Sequence, residues 1–498
     1  MRLPRREEVW VFAILFASYA FFWQSRDWNS ASRLMLAYAL VDRGTITLDG
    51  LDRQTGDIAF YRGHYYTDKL PGYSLLAAAP YAVTKATLGL SSHPLNRPGV
   101  AYWPADYWVT LATSGLSTAL AGALLVSLAR DLGCSRRRAL LVGLAYGLGT
   151  PACVYATLGY GHQASGFALL ASIALLWREP SGRDGPRMAF AGFLAAYAAI
   201  IELQVGPVSA LLGLYLLAQV IGGRRRPSAL GEFALGAAGP TLLLLGYNQV
   251  AFGSPWDMGY FHEVARIFRD VHSEANPLGL RRPSPDRGVA LLWGSYRGLL
   301  YYAPILLLSL PGWVALGVRR FWGLATVSAS IVLAVFAVNL SYPEWTGGWS
   351  TGPRLLLPLL PFAMLPVAGL LARGGRGPVA AAVVLGLAGA CLIFLFLGVG
   401  GRIPHQYPGG ELRDPLLQVV WPLWRGDPLP RWWVGRRFAQ NLVALAVPGP
   451  MGALTPSRQW LQFMPLILAQ TLAIGLAMRN CRETTSTSRG SDPPGKSR

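Results

Sequence analysis

Val9 to Trp23 reads VWVFAILFASYAFFW, and Gln24-Ser25-Arg26-Asp27-Trp28 follows it directly. An apolar run preceded by Arg2, Arg5 and Arg6 has the outline of a secretory signal. No small-x-small cleavage site follows, so the run reads as a retained helix and signal anchor with its N-terminus inside. Comparable runs recur along the 498 residues, 52 % of which are apolar and only 14 % charged. A soluble protein of this size carries about a quarter charged residues. A deficit spread over the whole length makes lipid the main solvent.

A span needs about twenty apolar residues to cross roughly 30 Å of hydrocarbon. On that measure spans are expected at about 8–24, 106–129, 139–156, 163–177, 188–203, 206–222, 228–249, 298–316, 322–340, 354–371, 377–399 and 459–478. With the N-terminus inside, the inner pieces are 1–7, 130–138, 178–187, 223–227, 317–321, 372–376 and the tail after 478. They hold 3, 4, 3, 3, 2, 2 and 5 Lys or Arg, half of the 44 in the chain. Pro71 to Leu90 is also apolar, but it contains Pro71, Pro80 and Lys85. As a thirteenth span it would move Arg136-Arg137-Arg138 and Arg224-Arg225-Arg226 outside, against the strong inside bias of short basic loops. It is expected instead as a helix lying at the interface. The reading is an all-α integral membrane bundle of about twelve spanning helices. One polytopic domain covers 1–478, with outer loops near 25–105, 250–297, 341–353 and 400–458. Both termini are cytoplasmic, and 479–498, rich in Ser, Thr, Pro and Gly, is expected to be a disordered tail.

The net charge of +19 thus serves orientation in the bilayer, and nucleic acid is not an expected partner. Cys134, Cys153, Cys391 and Cys481 are scattered without metal-ligand spacing, so neither a metal site nor a cofactor is expected.

Polar chemistry collects in the outer loops. The first runs Arg26-Asp27-Trp28-Asn29-Ser30-Ala31-Ser32-Arg33, passes Asp49 and Asp57, and reaches Thr67-Asp68-Lys69-Leu70-Pro71-Gly72. A carboxylate at the membrane boundary can take a proton from an attacking hydroxyl, and Lys or Arg can stabilise a leaving phosphate. The same residues also read as solvated loop charges that cap helix ends.

The order of these pieces resembles the first outer loop of the GT-C superfamily of membrane glycosyltransferases, especially the bacterial branch akin to protein O-mannosyltransferases and the lipid A aminoarabinose transferase. The family pattern is an Asp-Glu pair followed by Glu-Lys-Pro-Pro. Here Asp27 takes the first acidic position and Asp68-Lys69-Leu70-Pro71 the second, with Trp28 where the family has Glu. Gly149-Thr150-Pro151 to Tyr160-Gly161-His162, Tyr247-Asn248 to Phe252-Gly253-Ser254-Pro255, Tyr296-Arg297-Gly298, and Trp345-Thr346-Gly347-Gly348-Trp349 to Pro353-Arg354 look like further recurrent elements of such proteins. The resemblance implies transfer of a hexosyl or pentosyl group from a polyprenyl-phosphate donor, usually with inversion and without a catalytic metal. It places the chain in the bacterial cytoplasmic membrane, with a glycan, lipid or protein as acceptor. A multi-pass transporter or lipid flippase of the envelope is the alternative.

The implied catalytic carboxylate is Asp27 or Asp68, with Asp49 and Asp57 behind them. Asp27 is preferred as base, its pKa expected to be raised by partial burial against the opposing charges of Arg26, Arg33 and Lys69. Lys69, Arg33, Arg297 and Arg354 are candidates for the donor phosphate. For Arg297 and Arg354 the competing role is a snorkelling anchor at a helix end. His162, Glu202, Trp345 and Trp349 are expected to line the substrate. Against this stand a hydrogen-bonded structural histidine, a turn glutamate and an interfacial aromatic belt.

Overall fold

The computed structural model describes residues 5–24, 26–93, 103–178, 184–404, 412–430, 437–448 and 454–483. The tail expected to be disordered lies almost wholly outside these, from 484 onward.

Each expected span holds a helix. Among the described residues seven helices are long and apolar enough to cross a membrane: Pro104–Asp131, Leu203–Ile221, Ser228–Phe252, Trp322–Ser341, Arg354–Ala372, Arg376–Gly398 and Pro456–Asn480. His162–Trp177 and Pro304–Val318 are shorter apolar helices. The remaining runs fold as Arg6–Ala20 (α1), Arg136–Gly149 and Asp184–Ile201. α1 stops before the end of its apolar run because Phe22 and Trp23 leave the helix and pair antiparallel with Asn441 and Gln440. That pairing ties the end of α1 to the last outer loop.

Burial separates centre from rim. Arg354–Ala372 is the hub, with 89 % of its apolar stretch buried, whereas Ser228–Phe252 buries 11 %. Rim helices turn Leu235, Leu242, Val250, Leu387 and Leu472 outward, a surface suited to lipid. With no hydrophobic drive between helices in lipid, close backbone approach has to come from small residues. Asp184–Ile201 and Ser228–Phe252 cross at Gly192 and Gly236. A Cβ on Gly236 would lie 1.7 Å from the Ala189 carbonyl oxygen.

The basic loops meet at one end of the bundle. Arg5 pairs with Asp131 at 2.8 Å, Arg130 with Glu7 at 3.1 Å, Arg178 with Asp131 at 3.0 Å and Arg225 with Asp184 at 2.7 Å. Arg138 donates to the Leu371 carbonyl. The outer-loop residues gather at the other end.

Two further helices frame that end. Trp28–Arg43 (α2) starts at the cap residue Asp27, and Gly72–Leu88 (α3) packs along it. The last turn of α3 is held to α2 through Lys85 and Tyr81, which both bond Asp42. The chain after α3 is already back at Arg26, which lies 3.0 Å from His93 and 3.4 Å from Asp106.

Candidate active site

The start of α2 is fixed by a reciprocal cap. Asp27 Oδ1 accepts from the Ser30 amide at 2.9 Å and the Ser30 hydroxyl at 2.8 Å, and Ser30 Oγ accepts from the Asp27 amide. This leaves Oδ2, to which the Tyr160 hydroxyl donates. Burial pushes the Asp27 carboxyl up, but the charge of Arg402 and the bonds from Tyr160 and Ser30 outweigh it and hold the group below the ordinary carboxylate range. The expected rise is therefore corrected. A helix cap and a tyrosine stabilise the ionised form, and Arg402 opposes burial where Arg26, Arg33 and Lys69 were expected to.

Asp68 and Lys69 leave a hairpin of Ile58–Tyr61 and His64–Thr67. The outer segment around 260 docks against it: Phe60 donates to the His262 carbonyl and Val264 to the Ile58 carbonyl. The approach requires glycine at 259, where a Cβ would lie 2.5 Å from the Thr67 oxygen. Lys69 Nζ reaches Asp68 and, at 3.1 Å, Asp57, and lies over the Tyr260 ring. Burial disfavours the ammonium, but Asp57 and Asp68 more than compensate and raise its pKa well above the usual lysine value. Glu263 completes the cluster with Oε2 buried and without a hydrogen-bond partner among the described residues. Burial, the Asp68 charge and Asp57 push its carboxyl up to about 8 despite Lys69.

A third group sits where the helix at His162 begins. Arg33, 1 % exposed, donates to Glu202 Oε1 at 2.7 Å and to the Ile201 carbonyl. His162 Nδ1 lies 3.2 Å from the same Glu202 oxygen. Arg354 lies over the Tyr160 ring, 5.0 Å from its centroid, with Nε buried and without a hydrogen-bond partner among the described residues.

These groups share one cavity of about 1060 Å³ at the end opposite the basic loops. Asp27, Arg33, Lys69, His162, Glu202, Trp349 and Arg354 line it, so residues up to 327 positions apart converge. Ile267, Phe268, Leu278, Val338 and Leu355 give it an apolar side.

Four candidates lie elsewhere, among them Asp49, whose carboxylate accepts from the Tyr65 amide at 2.8 Å. Asp68 is fully buried behind Lys69 and also accepts from Ser32 at 2.9 Å. Arg297 is fully buried away from the cavity: it donates to the Thr346, Gly348 and Tyr296 carbonyls and stacks on the Tyr296 ring. Its donors order the glycine-rich turn before Arg354 instead of meeting a phosphate. Trp345 packs into the core, and of the two only Trp349 lines the wall. Tyr160, Tyr260, Glu263 and Arg402 were not singled out in the sequence. Tyr160 stood in a quoted motif, but Glu263 and Arg402 have no local signal, since only docking of distant loops brings them in.

No protein-family model matches the sequence, and no curated protein does. Among solved structures the chain is similar to ArnT from Cupriavidus metallidurans bound to undecaprenyl phosphate, at TM-score 0.48 and 17 % identity, covering 78 % of this chain and 64 % of that one. It is similar to the apo state of the same protein, at 0.48 and 15 %, covering 93 % and 73 %. It is also similar to the Archaeoglobus fulgidus oligosaccharyltransferase in the apo form, at 0.47 and 12 %, covering 78 % and 55 %. The chain thus spans 64 % of the length of ArnT in its lipid-bound structure.

Proposed function

We propose that this chain is a GT-C type glycosyltransferase of the bacterial cytoplasmic membrane. It moves a sugar from a polyprenyl-phosphate donor to an acceptor hydroxyl on the extracytoplasmic face. The observation that carries the reading is the cavity itself: one carboxylate oxygen of Asp27 faces Tyr160, while Arg354 and Lys69 stand in the same wall beside an apolar side. A ligand with a phosphate and a hydrocarbon chain matches that division. The twelve helices cross the membrane, α2 and α3 lie at its outer interface, and the ion-paired end is cytoplasmic.

In the reaction the acceptor oxygen attacks the anomeric carbon and the bond from that carbon to the phosphate oxygen breaks. The hydroxyl proton passes to Asp27 Oδ2, and the new charge on the phosphate meets Arg354 and Lys69. A single displacement inverts the anomeric centre. Asp57 and Asp68 fix Lys69, and Glu202 fixes Arg33, so both cations keep their places before the donor arrives. Mass spectrometry of envelope glycans with and without the chain tests the reading. Loss of one glycosyl substituent, restored by the wild type and not by Asp27→Asn, is expected. Identical glycans in both strains would refute it.

A further inference from the structure

The proposed chemistry uses Asp27, Lys69 and Arg354 but gives no task to the buried imidazole in the cavity wall. His162 is 2 % exposed and lines the cavity, and its Nε2 has no hydrogen-bond partner among the described residues. A buried polar nitrogen costs free energy unless something satisfies it. Its other nitrogen is provided for, since Nδ1 faces Glu202 Oε1, whose charge Arg33 already shares. Space for this arrangement is kept open by Gly161, where a Cβ would lie 2.5 Å from Glu202 Oε1.

Glu202 accepts only, and its oxygen at 3.2 Å lies nearer to Nδ1 than the Gln204 side-chain amide at 3.5 Å, so Nδ1 carries the proton and Nε2 presents a lone pair. A lone pair accepts from a hydroxyl and repels phosphate oxygens. Position narrows the partner further. The Tyr160 ring lies parallel to the His162 ring, with centroids 6.0 Å apart, while its hydroxyl meets Asp27 and its face carries Arg354. Base, phosphate cation and imidazole are thus grouped around one tyrosine. In the proposed reaction the group held between base and phosphate is the sugar.

Resting on that reading, we infer that His162 determines sugar specificity: its Nε2 accepts a hydrogen bond from a hydroxyl of the transferred sugar, in a tautomer set by Glu202. Its ligand is a hydroxylated glycosyl group, and neither the prenyl phosphate nor the acceptor touches it.

The test measures equilibrium binding by the full chain in nanodiscs. The probes are decaprenyl phosphate and decaprenyl-phosphate-linked glucose, mannose, galactose and arabinose. The wild type is expected to bind bare decaprenyl phosphate and at least one glycosylated form more tightly. His162→Phe keeps the ring against Tyr160 and removes the acceptor. It should bind the bare lipid within twofold of the wild type and the preferred glycosylated form about tenfold more weakly, the effect of one lost neutral hydrogen bond. His162→Gln restores a polar acceptor and should recover most of the loss. Equal weakening of both ligands by His162→Phe, or none, overturns the inference while leaving the glycosyltransferase reading intact, as does a wild type with no preference for any glycosylated form. A wild type that does not bind decaprenyl phosphate overturns that reading and the inference with it.

Discussion

Replacing Asp27 by Asn isolates proton transfer from architecture, because the two oxygens of this carboxylate have separate duties. Oδ1 holds the α2 cap through two bonds from Ser30, and an Asn side-chain oxygen does the same. Asn caps helices about as well as Asp, whereas Ala in its place costs about 1 kcal/mol. Oδ2 is the oxygen that would receive the acceptor proton, and in Asn it becomes an amide nitrogen that cannot. A general base contributes typically 10² to 10⁴ in rate, or about 2.7 to 5.4 kcal/mol of barrier. Transfer from a polyprenyl-phosphate sugar by purified protein should fall by that factor in Asp27→Asn, with donor affinity within a few-fold of the wild type. Asp27→Ala should lose the same rate and also unfold about 1 kcal/mol more easily. Since the carboxyl is held below the ordinary aspartate range, the wild-type kcat should show no acid limb within or above that range. Near-normal transfer by Asp27→Asn with a failing Asp27→Ala would reduce the residue to a helix cap. A dead Asp57→Asn beside an active Asp27→Asn would move the base to Asp57.

Arg354→Gln removes a cation with no ion pair among the described residues and should weaken donor binding by about 10- to 150-fold, the range for one charge-assisted bond, in a direct binding assay. Lys69→Ala differs in kind: it also leaves Asp57 and Asp68 buried without their cation, so a lower Tm should accompany its weaker binding, and Lys69→Arg should recover part of both. Glu263 is protonated below about 8 and adds a negative charge beside Lys69, Asp57 and Asp68 above it. Donor KM should therefore rise between pH 7 and 9 in the wild type and stay flat in Glu263→Gln; a rise that survives the substitution rejects this assignment. For topology, cysteines replacing exposed Arg226 and exposed Asp286 in a cysteine-free background should respond oppositely to an impermeant reagent on intact cells. Labelling at 226 would invert the proposed orientation.

Hydropathy and basic-loop parity are local properties, and they alone located a helix for every expected span. They also set α3 apart, through its prolines and Lys85, as an expected interfacial helix. The outer loops could be recognised as the polar ones because charges in lipid are costly and have to collect outside it. What each charge does there could not be read in the same way. Arg297 and Arg354 look equivalent along the chain, each beside glycines and aromatics near the outer start of a helix. In the fold, Arg297 turns to carbonyls 49 and 51 residues ahead, while Arg354 faces the cavity that this turn shapes. Asp68, adjacent to Lys69 in sequence, ends up behind it, while Asp57, just before the opposite strand, and Glu263 from another loop join Lys69 at the wall. Whether a side chain is a wall or a buttress depends on which distant backbone docks beside it. Such docking is set by close approaches like that of Gly259 to Thr67, which have no periodicity along the chain, so the sequence located the apolar helices and the tertiary structure alone brought these side chains to one cavity.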